Sequence, residues 1–211
     1  METASELITI SPHWALIIIG GLFVLVFGTA AIHRREGLSA RFALEALGLT
    51  ALMAAGSWLL SFQLSPILFL VLLYVVTMRA RISVDLGTML VQRERRDLAF
   101  RLYELGLRLS SDAASRFMVL ANKGAAEVYL EWPDAAISTL SNALSAEPLP
   151  PFSQRYEAAS HHNLGRAFEL QGDTAAAIEH YRQAIEALPG SEFAKAAEAS
   201  LQKHGDSLST D

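Results

Sequence analysis

The 211-residue chain contains no cysteine. Disulfides, thiolate zinc sites, iron–sulfur ligation and cysteine nucleophiles are thereby excluded. Charge is also scarce, at 18% of residues against 52% hydrophobic. Lys and Arg are missing from residues 1–32, which carry two acids, and between 42 and 78 the only charge is Glu45. No HExxH, Walker glycine loop, GxSxG or GxGxxG is present, so the sequence gives no expectation of catalysis. With a net charge of −5 and no concentrated basic surface, nucleic-acid binding is not expected either.

The charge that is present is segregated. Residues 33–116 hold eleven Arg against seven acids, and residues 117–211 hold six Lys or Arg against thirteen acids. Such a division implies a membrane part, a basic collar and an acidic water-facing part.

The apolar run 14–32 has 19 residues without a charge, the length a helix needs to cross a bilayer. A cleaved signal peptide is the alternative, but the leader is acidic and HRR follows at once. Residues 42–78 number 37, roughly 55 Å as one helix against a hydrocarbon core of about 30 Å. Ser65-Pro66 supplies a break, since Ser caps helices and Pro suits the first helical position. The expected spans are 14–32, 42–62 and 66–82, with residues 1–13 outside the cytoplasm. A single second span with a re-entrant tail is the other reading. The third span is short, so Arg79 and Arg81 are expected to snorkel to the interface. The basic flanks Arg34, Arg35, Arg41, Arg79 and Arg81 all fall on one side, which places the N-terminus outside and the C-terminal part in the cytoplasm. The expectation is an integral protein of a bacterial plasma (inner) membrane. Glu45 lies four residues after Arg41, which favours an interfacial ion pair over a proton relay. Span two carries small residues including Ala46, Thr50 and Ala54, a stripe that Gly21 and Gly28 of span one could meet.

The segment HHNLGRAFELQGDTAAAIEHYRQAIEALP, residues 161–189, places small residues at Gly165 and Ala177, with Leu164, Phe168 and Tyr181 to fill the space between two crossing helices and Pro189 to stop the second. It resembles a tetratricopeptide repeat. The spacing recurs at Gly124 and Ala136, with Leu140 in the aromatic place, and at Gly87 and Ala99, with Tyr103. In the middle copy Lys123 and Glu127 stand where the family places Leu and an aromatic, and its first helix is expected to pack through Val119, Leu120, Val128 and Leu130. The expected repeats are 80–113, 117–150 and 158–191, with extra residues at PLPPFSQ and a capping helix and frayed tail over 192–211. With no linker after Met78, span three is expected to run straight into the first repeat. The fold class is therefore all-α: three transmembrane helices, then an α-solenoid of repeats within 83–191.

The resemblance implies a groove, lined by the first helix of each repeat, that receives a peptide or helix of a protein partner. Carried over by spacing, it comprises Val84, Thr88 and Gln92, then Ala121, Ala125 and Tyr129, then His162, Arg166 and Glu169. A carboxylate clamp is not expected, because the lysines are missing. The function so implied is that of a membrane-anchored scaffold without cofactor, metal or catalytic residues. The alternative is an accessory subunit held in a larger membrane assembly by its spans. His161 and His162 are adjacent and point about 100° apart, so they do not converge on a metal. Arg93, Arg95, Arg96 and Arg101 alternate with acids as a solvated face within reach of lipid headgroups.

Overall fold

The computed structural model describes residues 11–37, 39–146 and 148–208. Residues 1–10, most of the expected extracytoplasmic leader, and 209–211 of the tail lie outside the described residues. Among those described there are ten α-helices and no strand. The chain divides into two compact units, Met1–Thr29 with Ala40–Met78, and Ala30–Ser39 with Arg79–Asp211.

The first unit is built from α1 (Pro12–His33) as far as Thr29, α2 (Ala40–Leu60) and α3 (Pro66–Thr77). Leu16 and Phe23 of α1, Ala46 and Ala54 of α2, and Phe69 and Leu73 of α3 are buried together. The long apolar run is thus two helices, parted by residues 61–65, where Ser61 is left-handed at φ 53° and the Ser57 hydroxyl donates to the Phe62 carbonyl at 3.0 Å. Pro66 opens α3 after Ser65, whose side chain makes no cap bond. Arg41 Nε lies 3.6 Å from Glu45. The close approach between α1 and α2 is at Gly20, where an added Cβ would collide with the Thr50 side chain, while Gly21 and Gly28 face open space. Pro12–His33 and Arg41–Leu60 are long and apolar enough to cross a membrane.

The third candidate differs from expectation. With 12 residues, α3 is too short to cross alone, and it reaches the length only when joined to the helix that follows. The chain does not run on as one helix to residue 82, because α3 ends at Thr77. The Thr77 hydroxyl donates to the Leu73 carbonyl at 2.6 Å, a bond that competes with the helical ladder.

The second unit is a succession of helical hairpins: α4 (Arg79–Gln92) with α5 (Arg96–Leu109), α6 (Ala113–Tyr129) with α7 (Pro133–Leu144), and α8 (Gln154–Gln171) with α9 (Thr174–Ala187), closed by α10 (Glu192–Leu208). Each hairpin packs on the next, and the first helices lie side by side in the order α4, α6, α8, α10. Helix α10 continues through the segment expected to fray, as far as Leu208.

One register builds all three hairpins. An added Cβ at Gly87 would lie 3.2 Å from the Tyr103 ring, one at Gly165 2.6 Å from the Tyr181 ring, and one at Gly124 would collide with Leu140. In each case the residue met lies sixteen positions after the glycine. Ala99, Ala136 and Ala177, twelve positions after the glycines, are fully buried. The small residues let two helix backbones approach, and the ring or Leu from the second helix fills the gap. The first hairpin, the poorest match by sequence, follows the same geometry.

In the middle hairpin Val119, Leu120 and Val128 are buried and Leu130 packs on the core from its edge. Glu127 is also buried, at 4% exposure. Burial raises its carboxyl above the usual range, against the pull of Thr139 and of Lys123, whose Nζ is 3.7 Å away. Val84, expected on the groove wall, instead lies in the core with Tyr103 and Val119, and the Thr88 hydroxyl pairs with Tyr103 Oη at 3.0 Å. The reason is that α4 must bury one face against both α5 and α6.

Candidate functional site: the inner face of the helical hairpins

The first helices enclose a cavity of about 210 Å³, walled by Ala121, Asn122 and Ala125 of α6, Tyr156, Ala159 and Asn163 of α8, Arg81 of α4 and Phe193 of α10. Its volume takes one or two side chains. The small residues on α6 and α8 open the space, and the amides and guanidiniums at its margin supply polar contacts. The Asn122 amide nitrogen donates to the Met118 carbonyl at 2.8 Å, which orients the side chain. Burial, with the Glu36 charge nearby, pushes the Tyr156 phenol up to about 12, so it remains a neutral hydroxyl.

The cavity is bounded by Arg155 and by Glu36, a residue of the loop between α1 and α2. Glu36 is only 9% exposed at its side chain. Its Oε2 lies 2.9 Å from Arg81 Nη1 and its Oε1 3.0 Å from Arg155 Nη1. Arg155 also reaches Glu192 on α10 through Nη2 at 2.8 Å. Arg81 is therefore engaged with a carboxylate of its own unit, not extended toward lipid as expected. A carboxylate held by two guanidiniums out of water loses much if either is removed. By sequence none of Glu36, Arg155, Tyr156 and Phe193 is expected on the inner face, and Phe193 enters only as part of the apolar stripe of the last helix. The available signal was that Glu36 is the one acid within the basic segment HRREGLSAR.

The structure places the expected groove residues unequally. Ala121 and Ala125 wall the cavity. Tyr129, 65% exposed, ends α6 and Gln92 ends α4, both outside the cavity wall. Arg166 is exposed on α8. Glu169 accepts from Tyr181 Oη at 2.5 Å and pairs with His204 Nε2 at 2.5 Å, a tie between the third hairpin and α10. His162 packs against the rings of Tyr181 and Phe193, and His161 stacks on His180, which stacks on Phe168. These histidines are packing residues more than solvated ones. Among the described residues no group of three or more His, Cys, Asp or Glu could hold a metal ion.

Burial, with His180 nearby for His161 and Arg166 for His162, lowers both histidines to about 4. The unfolded chain takes up these protons below about 6.5, whereas the fold refuses them until about 4, so stability is lost as pH falls through that window. Thermal melts from pH 7.5 to pH 4 are expected to show it. The double variant His161→Gln/His162→Gln is expected to flatten the part of the profile between pH 6.5 and 4, and an unchanged slope would refute the assignment.

The hairpin that carries the tightest glycine-to-ring contact, α8 with α9, is where comparison with known families is decisive. Residues 158–191 match the tetratricopeptide repeat family. No curated protein matches the sequence. The two earlier hairpins lie outside the tetratricopeptide match and share its glycine register through Gly87 with Tyr103 and Gly124 with Leu140. A tetratricopeptide repeat is typically a protein-interaction fold.

Proposed function

We propose that the protein is a membrane-anchored tetratricopeptide scaffold, not an enzyme, that takes a peptide or helix of a protein partner on the inner face of its hairpins in the cytoplasm. The observation that carries the proposal is the polar-rimmed cavity among α4, α6, α8 and α10. Two helices of sufficient length and apolarity supply the anchor, a third crossing is made by α3 joined to the helix that follows it, and the one-sided Arg flanks give the orientation. Large apolar side chains such as Leu44, Trp58 and Ile67 are exposed on α2 and α3, surface that calls for lipid or another membrane protein. Asn122, Ala125 and Asn163 form the centre of the partner surface, with Gln92, Tyr129, His162, Arg166 and Glu169 extending it.

A photoreactive side chain at Ala125, in the full chain in its native membrane, is expected to cross-link a discrete partner, whereas one at Glu186 on α9 is not. Equal adducts at both positions, or none at Ala125, would sink the scaffold reading. The absence of cysteine gives a second check. Single cysteines at Gln63 and Lys203 are expected to be labelled and protected, respectively, when intact cells meet an impermeant maleimide; the reverse would invert the orientation.

A further inference from the structure

We propose that the loop between α1 and α2 is an internal occupant of the inner face, latched there by Glu36, and that a partner gains full access only by bringing its own carboxylate to Arg81 and Arg155. The inference rests on the reading of that face as the partner surface.

Five contacts seat the loop. Besides the two ion pairs of Glu36, the Gly37 N–H donates to the Phe152 carbonyl at 2.6 Å and the Arg155 N–H donates to the Arg35 carbonyl at 2.9 Å. Ser39 donates to the Asp112 carboxylate. That carboxylate also accepts from the Ser115 N–H at 2.8 Å as the N-cap of α6. Against the effect of burial, these bonds hold it below the ordinary range, so it stays an acceptor. The loop thus spans the starts of α4, α6 and α8, which share one edge of the inner face.

Three features mark this as a built contact. Both carbonyl acceptors belong to left-handed non-glycine residues, Arg35 at φ 55° and Phe152 at φ 57°, a conformation that persists only where surroundings impose it. Gly37, at φ 93°, holds a backbone conformation that residues with a side chain rarely adopt, so any substitution there is strained. Phe152 and Ser153 come from the PLPPFSQ insertion between the second and third hairpins, so the residues that interrupt the repeat spacing form the seat. Because Glu36 bounds the same cavity as Asn122 and Asn163, loop and partner compete for one volume.

The test uses the full chain in detergent or nanodiscs, with Ala125→Cys as the sole thiol. Trypsin cleavage after Arg34 and Arg35, whose side chains are exposed, reports loop release, and maleimide labelling at position 125 reports access to the cavity. Glu36→Gln is expected to raise both rates by about tenfold or more, the factor associated with losing charge-assisted bonds. Gly37→Val, which unseats the loop without touching the arginines, is expected to act in the same direction. A synthetic peptide copying residues 33–40 should slow labelling of the Glu36→Gln protein, and its Gln counterpart should not. Hydrogen exchange in α8 and α9 must remain native; if Glu36→Gln disturbs it, Gly37→Val carries the test. Protection of the loop in both variants overturns the latch, and so does release of the loop without faster labelling, which would make it a brace. The two proposals fail separately. A partner cross-linked at Ala125 equally in wild type and Glu36→Gln refutes the latch alone, whereas faster labelling without any cross-linked partner refutes the scaffold alone.

Discussion

Replacing Gly165 with valine is expected to unfold the third hairpin locally, with a loss of about 3 kcal/mol from overpacking and β-branching in a helix. An added Cβ would lie 2.6 Å from the Tyr181 ring, and that ring has nowhere to go. It is fully buried, and its hydroxyl is fixed on Glu169. Exchange of amides in α8 and α9 should accelerate while those of α4 and α5 change little, because α8 and α9 pack chiefly on each other and on α6, α7 and α10. The companion variant Tyr181→Ala leaves a void and costs about 3–5 kcal/mol by itself. In the double variant the valine partly fills that void, so the combined loss should fall short of the sum. Additive losses, or a Gly165→Val protein with native exchange, would show that the ring does not pack on this glycine.

The second large effect is expected in the first unit. Gly20→Val should separate α1 from α2, since even a Cβ at that position collides with Thr50. Thr50 is 4% exposed and its hydroxyl is tied to the Ala46 carbonyl at 2.7 Å, so it is poorly able to give way. Gly21→Val and Gly28→Val face open space and serve as controls expected to leave the pair intact. Cysteines placed at Leu16 and Ala54, both buried in the same cluster, supply the readout through the yield of oxidative cross-link in detergent. The yield should fall several-fold for Gly20→Val and stay near wild type for the controls, as expected for a cost of about 1–3 kcal/mol. A loss with Gly28→Val and none with Gly20→Val would mean that α1 is rotated from the position described.

Much of the hairpin architecture is legible in the residues because its rule is local. The glycine, the alanine twelve places on and the ring or Leu sixteen places on lie within one helix pair, where chain connectivity leaves few ways to pair them. Even the first hairpin, which lacks a closing proline, could be placed by this spacing. The apolar helices are legible for a similar reason, since length and absence of charge are properties of a single segment. The face that each helix turns inward is not. Gly20 and Gly21 are neighbours, yet successive residues point about 100° apart, and only packing against α2 selects between them.

The candidate site is the least legible part. Ala121 and Ala125 could be placed on the inner face by register, but Glu36 meets Arg155 across 119 positions, and no spacing rule connects them. Arg81 illustrates the difficulty. A guanidinium just after an apolar helix is satisfied equally by lipid headgroups or by a carboxylate, and the choice depends on what the fold brings within about 3 Å.

The sequence by itself determined that there would be apolar helices, an Arg-rich segment and a run of helical hairpins followed by a last helix, since each follows from local pattern and hydrophobic burial. The tertiary structure alone decided that α3 would stop at Thr77, that Gly20 would be the point of closest approach, and that Glu36 would close one side of the cavity. Those outcomes depend on groups distant in the chain competing for the same space and the same charge.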